Sequence, residues 1–233
     1  MKVDIWSDVV CPWCYIGKRR FEAALARFPH RDAVEVVWRS FELDPHAPRH
    51  YTEGAADHLA AKYGISRDEA LARHADVARL AAEEGVSFRF ELAQSGNTFD
   101  AHRLLHLAAD RGLGGPAKER LLAAYFSEGE PIGDPETLVR LVAEVGVAAD
   151  DARAVLLSDA YAEAVRADER EAAMLGISGV PFFVVDGRYG ISGGQSAELI
   201  AHALEQAWAE AHPSAALTPV GAGATCSDDS CAV

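Results

Sequence analysis

The chain opens as strand, helix, strand and closes as strand, strand, helix, and a long, almost wholly helical stretch lies between. Val3, Ile5, Val9 and Val10 surround polar Asp4, Ser7 and Asp8, the pattern of a short buried strand. A helix is expected from about Pro12 to Phe28, with Ile16, Phe21, Leu25 and Phe28 on its apolar side. Pro12 suits its first position, where the missing N–H would be unpaired anyway. Val34, Val37, Trp38 and Phe41 form a second strand, and two strands joined through a helix pair in parallel. Near the other end Val180–Val185, Asp186-Gly187 and Tyr189–Ile191 read as strand, two-residue turn, strand. Gly193-Gly194 and Ser196 lead into a last helix, about Ala197 to Ala211, which Pro213 ends. These outer pieces sum to one small α/β sheet flanked by helices, with the helical block inserted as a lobe.

Within that block, Ser66-Arg67-Asp68-Glu69 is a capping box ahead of a helix ending near Gly85. Val86, Phe88 and Phe90 suggest an extended connection. Further helices are expected over Phe99–Arg111, Pro116–Ser127, from Asp134-Pro135 to about Val145, from Asp150 or Asp151, and from Ser158 to Gly176. The expected division is 1–50 with 176–212 as a discontinuous domain, 51–175 as a helical insertion, and 213–233 as a flexible tail. That tail, rich in Ala, Gly, Ser, Pro and Asp, cannot bury enough apolar area to order itself.

Hydrophobic residues are 49% and charged residues 25% of the 233, enough to build a core without disulfide staples. Asp and Glu outnumber Lys and Arg 36 to 22, a net charge of −14 that argues against nucleic-acid or anionic-membrane partners. No apolar run approaches the ~20 residues needed to span a bilayer. The first residues look like a strand rather than a secretion signal, so a cytoplasmic setting is expected.

Four cysteines fall into two close pairs, Cys11/Cys14 and Cys226/Cys231. In a reducing compartment such pairs point to redox chemistry or metal binding rather than to staples. Cys11 precedes a helix N-terminus, where free N–H groups and the helix dipole favour a thiolate. Cys14, three residues on, is within disulfide reach. In such a dithiol Cys11 exchanges with a substrate disulfide and Cys14 resolves the mixed disulfide.

Larger blocks narrow this reading. Trp6-Ser-Asp-Val-Val-Cys-Pro-Trp-Cys14, Phe41-Glu-Leu-Asp-Pro45, Asn97-Thr98 with Ala101-His-Arg-Leu104, and Val180-Pro-Phe-Phe183 with Gly190-Ile-Ser-Gly-Gly-Gln195 resemble the DsbA family of thioredoxin-fold oxidoreductases. More narrowly they resemble its FrnE-like branch, over about residues 1 to 210. The resemblance implies a thioredoxin-like fold, Cys11 as nucleophile, Cys14 as resolving thiol and Pro181 as a cis-proline facing them. Val180 would then present its backbone to an extended substrate, with Pro12 and Trp13 beside it. Trp13 stands where periplasmic DsbA has histidine, so a less acidic Cys11 and a less oxidising pair are expected, between about −120 mV for DsbA and about −270 mV for thioredoxin. The expected partners are protein or small disulfides, with glutathione or a thioredoxin system supplying or taking electrons. No cofactor beyond the dithiol itself is implied, and either a monomer or a homodimer fits.

Two other chemistries compete. Kappa-class glutathione transferases and hydroxychromene-carboxylate isomerases resemble this architecture, but their catalytic position usually holds Ser. The four cysteines could instead bind one zinc, although the spacing is unlike compact zinc ribbons. Cys226 and Cys231, separated by Ser-Asp-Asp-Ser, are candidates for an auxiliary pair relaying electrons to Cys11/Cys14. Asp8 reads either as a proton relay to Cys14 or as a loop carboxylate binding backbone amides. His102 and His106 have a metal-compatible spacing, but helix packing is the simpler reading. Substrate contact by Asn97 or His102 is a further reading.

Overall fold

A computed structural model describes residues 1–213. Strand β1 (Lys2–Ser7), helix α1 (Pro12–Arg27) and strand β2 (Glu35–Ser40) form the opening unit, and β1 runs parallel to β2 with Ile5 opposite Trp38. Strands β3 (Phe182–Val185) and β4 (Tyr189–Ser192) add antiparallel on the other side of β1, in the order β2-β1-β3-β4. β1 is therefore central, and Val3, Ile5, Trp6 and Ser7 are buried although they point to opposite faces. Helix α9 (Ala197–Ala211), capped by Ser196 Oγ accepting from Leu199 N–H, packs beside α1.

The helical insertion comprises α2 (Ala55–Tyr63), α3 (Arg67–Glu83), α4 (Phe99–Ala109), α5 (Gly114–Ala123), α6 (Pro135–Glu144), α7 (Ala149–Leu156) and α8 (Ala162–Met174). The expected caps are present: Ser66 Oγ accepts from Glu69 N–H and Asp134 Oδ2 from Thr137 N–H.

Three local expectations change. The helix expected from Ser158 begins at Ala162, because the Ser158 hydroxyl turns back to Ala154 and Val155 carbonyls and closes α7, and Tyr161 takes a φ of 61°. The stretch expected as one helix to Ser127 passes from α5 into a π-helical segment over Ala124–Glu128, a widened turn that seats buried Tyr125 and Phe126. The β3–β4 loop holds three residues rather than two, since Val185 pairs with Tyr189; Asp186 and Gly187 supply the positive φ values of 52° and 67°. Val86 to Phe90 forms no strand, yet Val86 and Phe88 are buried.

Two apolar cores meet on α1. Phe21, Ala24 and Phe28 face the sheet and α9, with Phe21 stacked on Phe183 at 5.8 Å between centroids. Tyr15 and Ile16 belong to the insertion core, where Tyr15 lies 5.9 Å from the Phe88 ring and Phe88 stacks 4.5 Å from Phe126. The opposite face of the sheet is covered by α8, through Trp6, Ala172 and Ile177. The Trp6 indole N–H donates to Asp168 O at 2.9 Å.

Candidate active site

Cys11 occupies the N-cap position of α1, extended at φ −90° and ψ 115°, with Pro12 the first helical residue. Its carbonyl accepts from Cys14 N–H at 3.0 Å, so the first turn folds Cys14 beneath it. Both thiols are free and buried. The Cys11 S–H donates to Val180 O at 3.4 Å across the site. The Val180–Pro181 bond is cis. Pro181 also packs against α1 at Gly17: a Cβ there would come within 2.9 Å of Pro181 Cγ, so only glycine permits this approach.

A cavity of about 450 Å³ opens in front of Cys11, a typical volume for a small-molecule pocket. Cys11, Pro12, Trp13 and Val180 form one wall. Tyr51, Leu59, Tyr63, Phe90 and Tyr125 of the insertion form much of the other. Cys11 thus faces the cavity, and Cys14 lies behind it without lining the wall. The structure gathers Cys11, Pro12, Trp13, Cys14, Val180 and Pro181 in one place. Cys226 and Cys231, on which both the relay and the four-thiolate zinc arrangement rest, lie outside the described residues.

Helix-end reasoning treats Cys11 alone and places the negative charge there. With two thiols buried together, the anion of one is hydrogen-bonded by the other, and the pair titrates as a unit. The contact with Cys14 and burial push the Cys11 thiol well above its ordinary range. Burial also opposes ionisation of Cys14, but the hydrogen bond from Cys11 and the Lys118 charge draw it down.

The surrounding polar groups are buried too. Asp8 accepts from Val9 N–H at 2.7 Å and Leu43 N–H at 2.8 Å, and His102 Nε2 stands 3.2 Å from its Oδ1. Burial raises the Asp8 pKa, but His102, Leu43 and Lys118 together hold it below the ordinary carboxylate value. The backbone-binding reading of Asp8 thus has specific partners. His102 is a neutral donor, its pKa depressed by burial against the pull of Asp8. His106 turns to Ser40 Oγ and Asp168 Oδ2, each 3.1 Å from Nε2. Asn97 accepts from Phe99 N–H at 2.9 Å and donates to Ala47 O at 3.3 Å, bracing the start of α4. Among the described residues no cluster of three or more His, Cys, Asp or Glu is placed to hold a metal ion.

Lys118 of α5 went unnoticed in the sequence. Its ammonium is fully buried and donates to Ser7 O at 3.1 Å. Burial brings its pKa down to about 8, against the upward pull of Cys14, Asp8 and Cys11. A trace was available: Lys118 shares a helix face with Leu121 and Leu122, three and four residues on, and so holds a core position.

The model of the DSBA-like thioredoxin domain matches residues 2–205. A probable DsbA oxidoreductase from Streptomyces coelicolor is 48% identical and superposes with a TM-score of 0.87, covering 100% of this chain and 99% of that one. The cytosolic disulfide reductase DsbM from Pseudomonas aeruginosa, solved with GSH, shares the fold at 19% identity and a TM-score of 0.62, over 88% of this chain and 98% of that one. A 2-hydroxychromene-2-carboxylate isomerase shares it at 16% identity and 0.66, over 91% and 98%.

Proposed function

The chain belongs to the DSBA-like thioredoxin domain family, and from that premise we propose that it is a dithiol–disulfide oxidoreductase of the FrnE-like kind, acting in the cytoplasm on protein or small-molecule disulfides. The observation that carries this is the placement of the two thiols: Cys11 at the cavity wall against Val180 O, Cys14 covered behind it. Cys11 attacks one sulfur of a substrate disulfide and the other sulfur leaves as a thiolate. Cys14 then attacks Cys11, the second substrate sulfur leaves, and the enzyme retains the disulfide. The reverse sequence delivers a disulfide to a dithiol substrate. Electrons enter or leave through external thiols or disulfides, with glutathione or a thioredoxin system as the natural classes.

The assay is reduction of insulin disulfides by dithiothreitol, with wild type, Cys11→Ser and the double variant Cys226→Ser/Cys231→Ser. Loss of turnover in Cys11→Ser alone is the expected result. Loss in the tail variant as well would assign Cys226 and Cys231 a relay. A folded wild type without activity would refute the reading.

The mostly apolar lining of the cavity, with Leu59, Tyr63 and Phe90, favours a second reading, glutathione-dependent isomerisation or transfer on a small apolar substrate. Glutathione-dependent turnover that survives Cys11→Ser would put this reading first.

A further inference from the structure

Helix α2 packs on α3 and turns another face to the cavity in front of Cys11. The residues it contributes there, Ala55, His58, Leu59, Lys62 and Tyr63, recur at intervals of three and four and so form one stripe of the helix. Large apolar side chains left in contact with water gather around the same cavity: Trp13 is 39%, Leu43 38% and Tyr63 59% exposed. Apolar surface of that kind around a concavity marks a binding site. The charges on the lining are one-sided. Asp8 is consumed by Val9 N–H, Leu43 N–H and His102, and Asp44 accepts from His46 N–H at 3.1 Å and the Tyr51 hydroxyl at 2.8 Å. His74 stacks on Phe90 at 4.1 Å between centroids, and burial lowers its pKa, which keeps it neutral at pH 7. His58 faces Glu53 at 3.5 Å. That leaves two full cations, Lys62 of α2 and Arg73 of α3, both on the insertion wall. Arg73 is held at 2.8 Å by Glu69, which does not line the cavity. Lys62 has no carboxylate partner among the described residues. In a chain of net charge −14, this wall runs against the average.

We propose that the cavity selects small disulfides that join an apolar body to a carboxylate. The disulfide meets Cys11, the apolar part lies among Trp13, Leu43 and Tyr63, and the carboxylate pairs with Lys62. This rests on the oxidoreductase reading and names its substrate class. The Cys11 sulfur bonds to one sulfur of the substrate, the S–S bond breaks, and its electron pair leaves with the other half as a thiolate. The substrate disulfide is the oxidant and no other is needed. A volume of about 450 Å³ suits a molecule of this size.

The test compares two aromatic disulfides of opposite character, dithiobis(nitrobenzoate), a dianion, and dithiodipyridine, which is neutral at pH 7. Each releases a coloured thiol when Cys11 of the reduced protein attacks it, in a Cys226→Ser/Cys231→Ser background so that only the α1 thiols report. The quantity read is the ratio of the two second-order rate constants, anionic over neutral, set against the same ratio for free mercaptoethanol. The net charge alone would depress the protein's ratio below that of the free thiol; the cationic wall raises it above. Lys62 is exposed, so its variants keep the fold. Lys62→Met lowers the ratio about threefold and the charge reversal Lys62→Glu about tenfold. Arg79→Met removes the same charge from α3 outside the cavity and leaves the ratio in place. A ratio below that of the free thiol, a ratio indifferent to both Lys62 variants, or an equal fall in Arg79→Met overturns the proposal and leaves the dithiol reading standing. A folded wild type whose Cys11 reacts with neither disulfide overturns both.

Discussion

The two faces of α1 are held by different physics. Toward the sheet, Phe21, Ala24 and Phe28 meet Phe183, Ile200 and Leu204 in a contact made of apolar surface. Toward the insertion, Tyr15 and Ile16 join an apolar core as well, but a belt of polar contacts surrounds it, buried for Asp8 with His102 and Ser7 with Lys118, half-buried for Lys18 with Glu119 and Arg20 with Glu84. Apolar burial has no direction, so it fixes that two surfaces meet more firmly than how they are aligned. Hydrogen bonds between buried groups are directional, and leaving one unmade costs the full desolvation of its partner. The sheet side therefore supplies cohesion, while the insertion side sets the register of α4 and α5 against the dithiol.

The largest effect expected from this contrast is on the apolar side. Phe183→Ala empties a fully buried site and should cost about 3–5 kcal/mol, read as a lowered denaturant midpoint. That loss should be nearly independent of pH. A strongly pH-dependent loss would break the division.

Asp8→Asn should cost about 2 kcal/mol at neutral pH, since it removes charge-assisted bonds to Leu43 N–H and His102. Here the loss must depend on pH. Asp8 has a lowered folded pKa, so its contribution is present above the ordinary value of 3.8 and disappears as pH falls through the lower folded value. His102 also has a lowered folded pKa, so the unfolded chain takes up its proton first and stability begins to fall as pH drops below 6.5. Thermal melts from pH 7 to 3 should show a decline in wild type and a flatter acid limb in Asp8→Asn. Parallel curves would remove Asp8 from the belt.

The smallest effect belongs to neither face. Ser66→Ala removes the cap of α3 and should cost about 1 kcal/mol, with no change in the pH profile or in the reaction of Cys11. A change in either would show that α3 is coupled to the site more tightly than its position on the cavity's outer wall implies.

What could be read in advance follows the range of the interaction concerned. The caps at Ser66, Asp134 and Ser196 act over three residues, and their partners are present. The Cys11–Cys14 turn and the β3–β4 hairpin are equally local, although the loop length was off by one residue. The start of α8 was misplaced because Ser158 has two local uses, capping forward or bonding back, and the choice depends on how α7 meets its neighbours. The electrostatics of the dithiol is only partly legible for a related reason. Helix-end electrostatics is a property of Cys11 and its own turn, whereas the hydrogen bond between the two thiols and the charge of Lys118, 104 positions away in the chain, act only once these groups are buried together.

By itself the sequence determined the strand and helix pattern and the helix carrying the two thiols, because periodicity, capping and turn chemistry act between near neighbours; the proline opposite the thiols was legible only through the resemblance to the DsbA family. Only the tertiary structure decided which charges face those thiols. Lys118 and Asp8 come from separate elements, and their effect on sulfur depends on distance and on exclusion of water. Neither quantity exists until the insertion closes over α1.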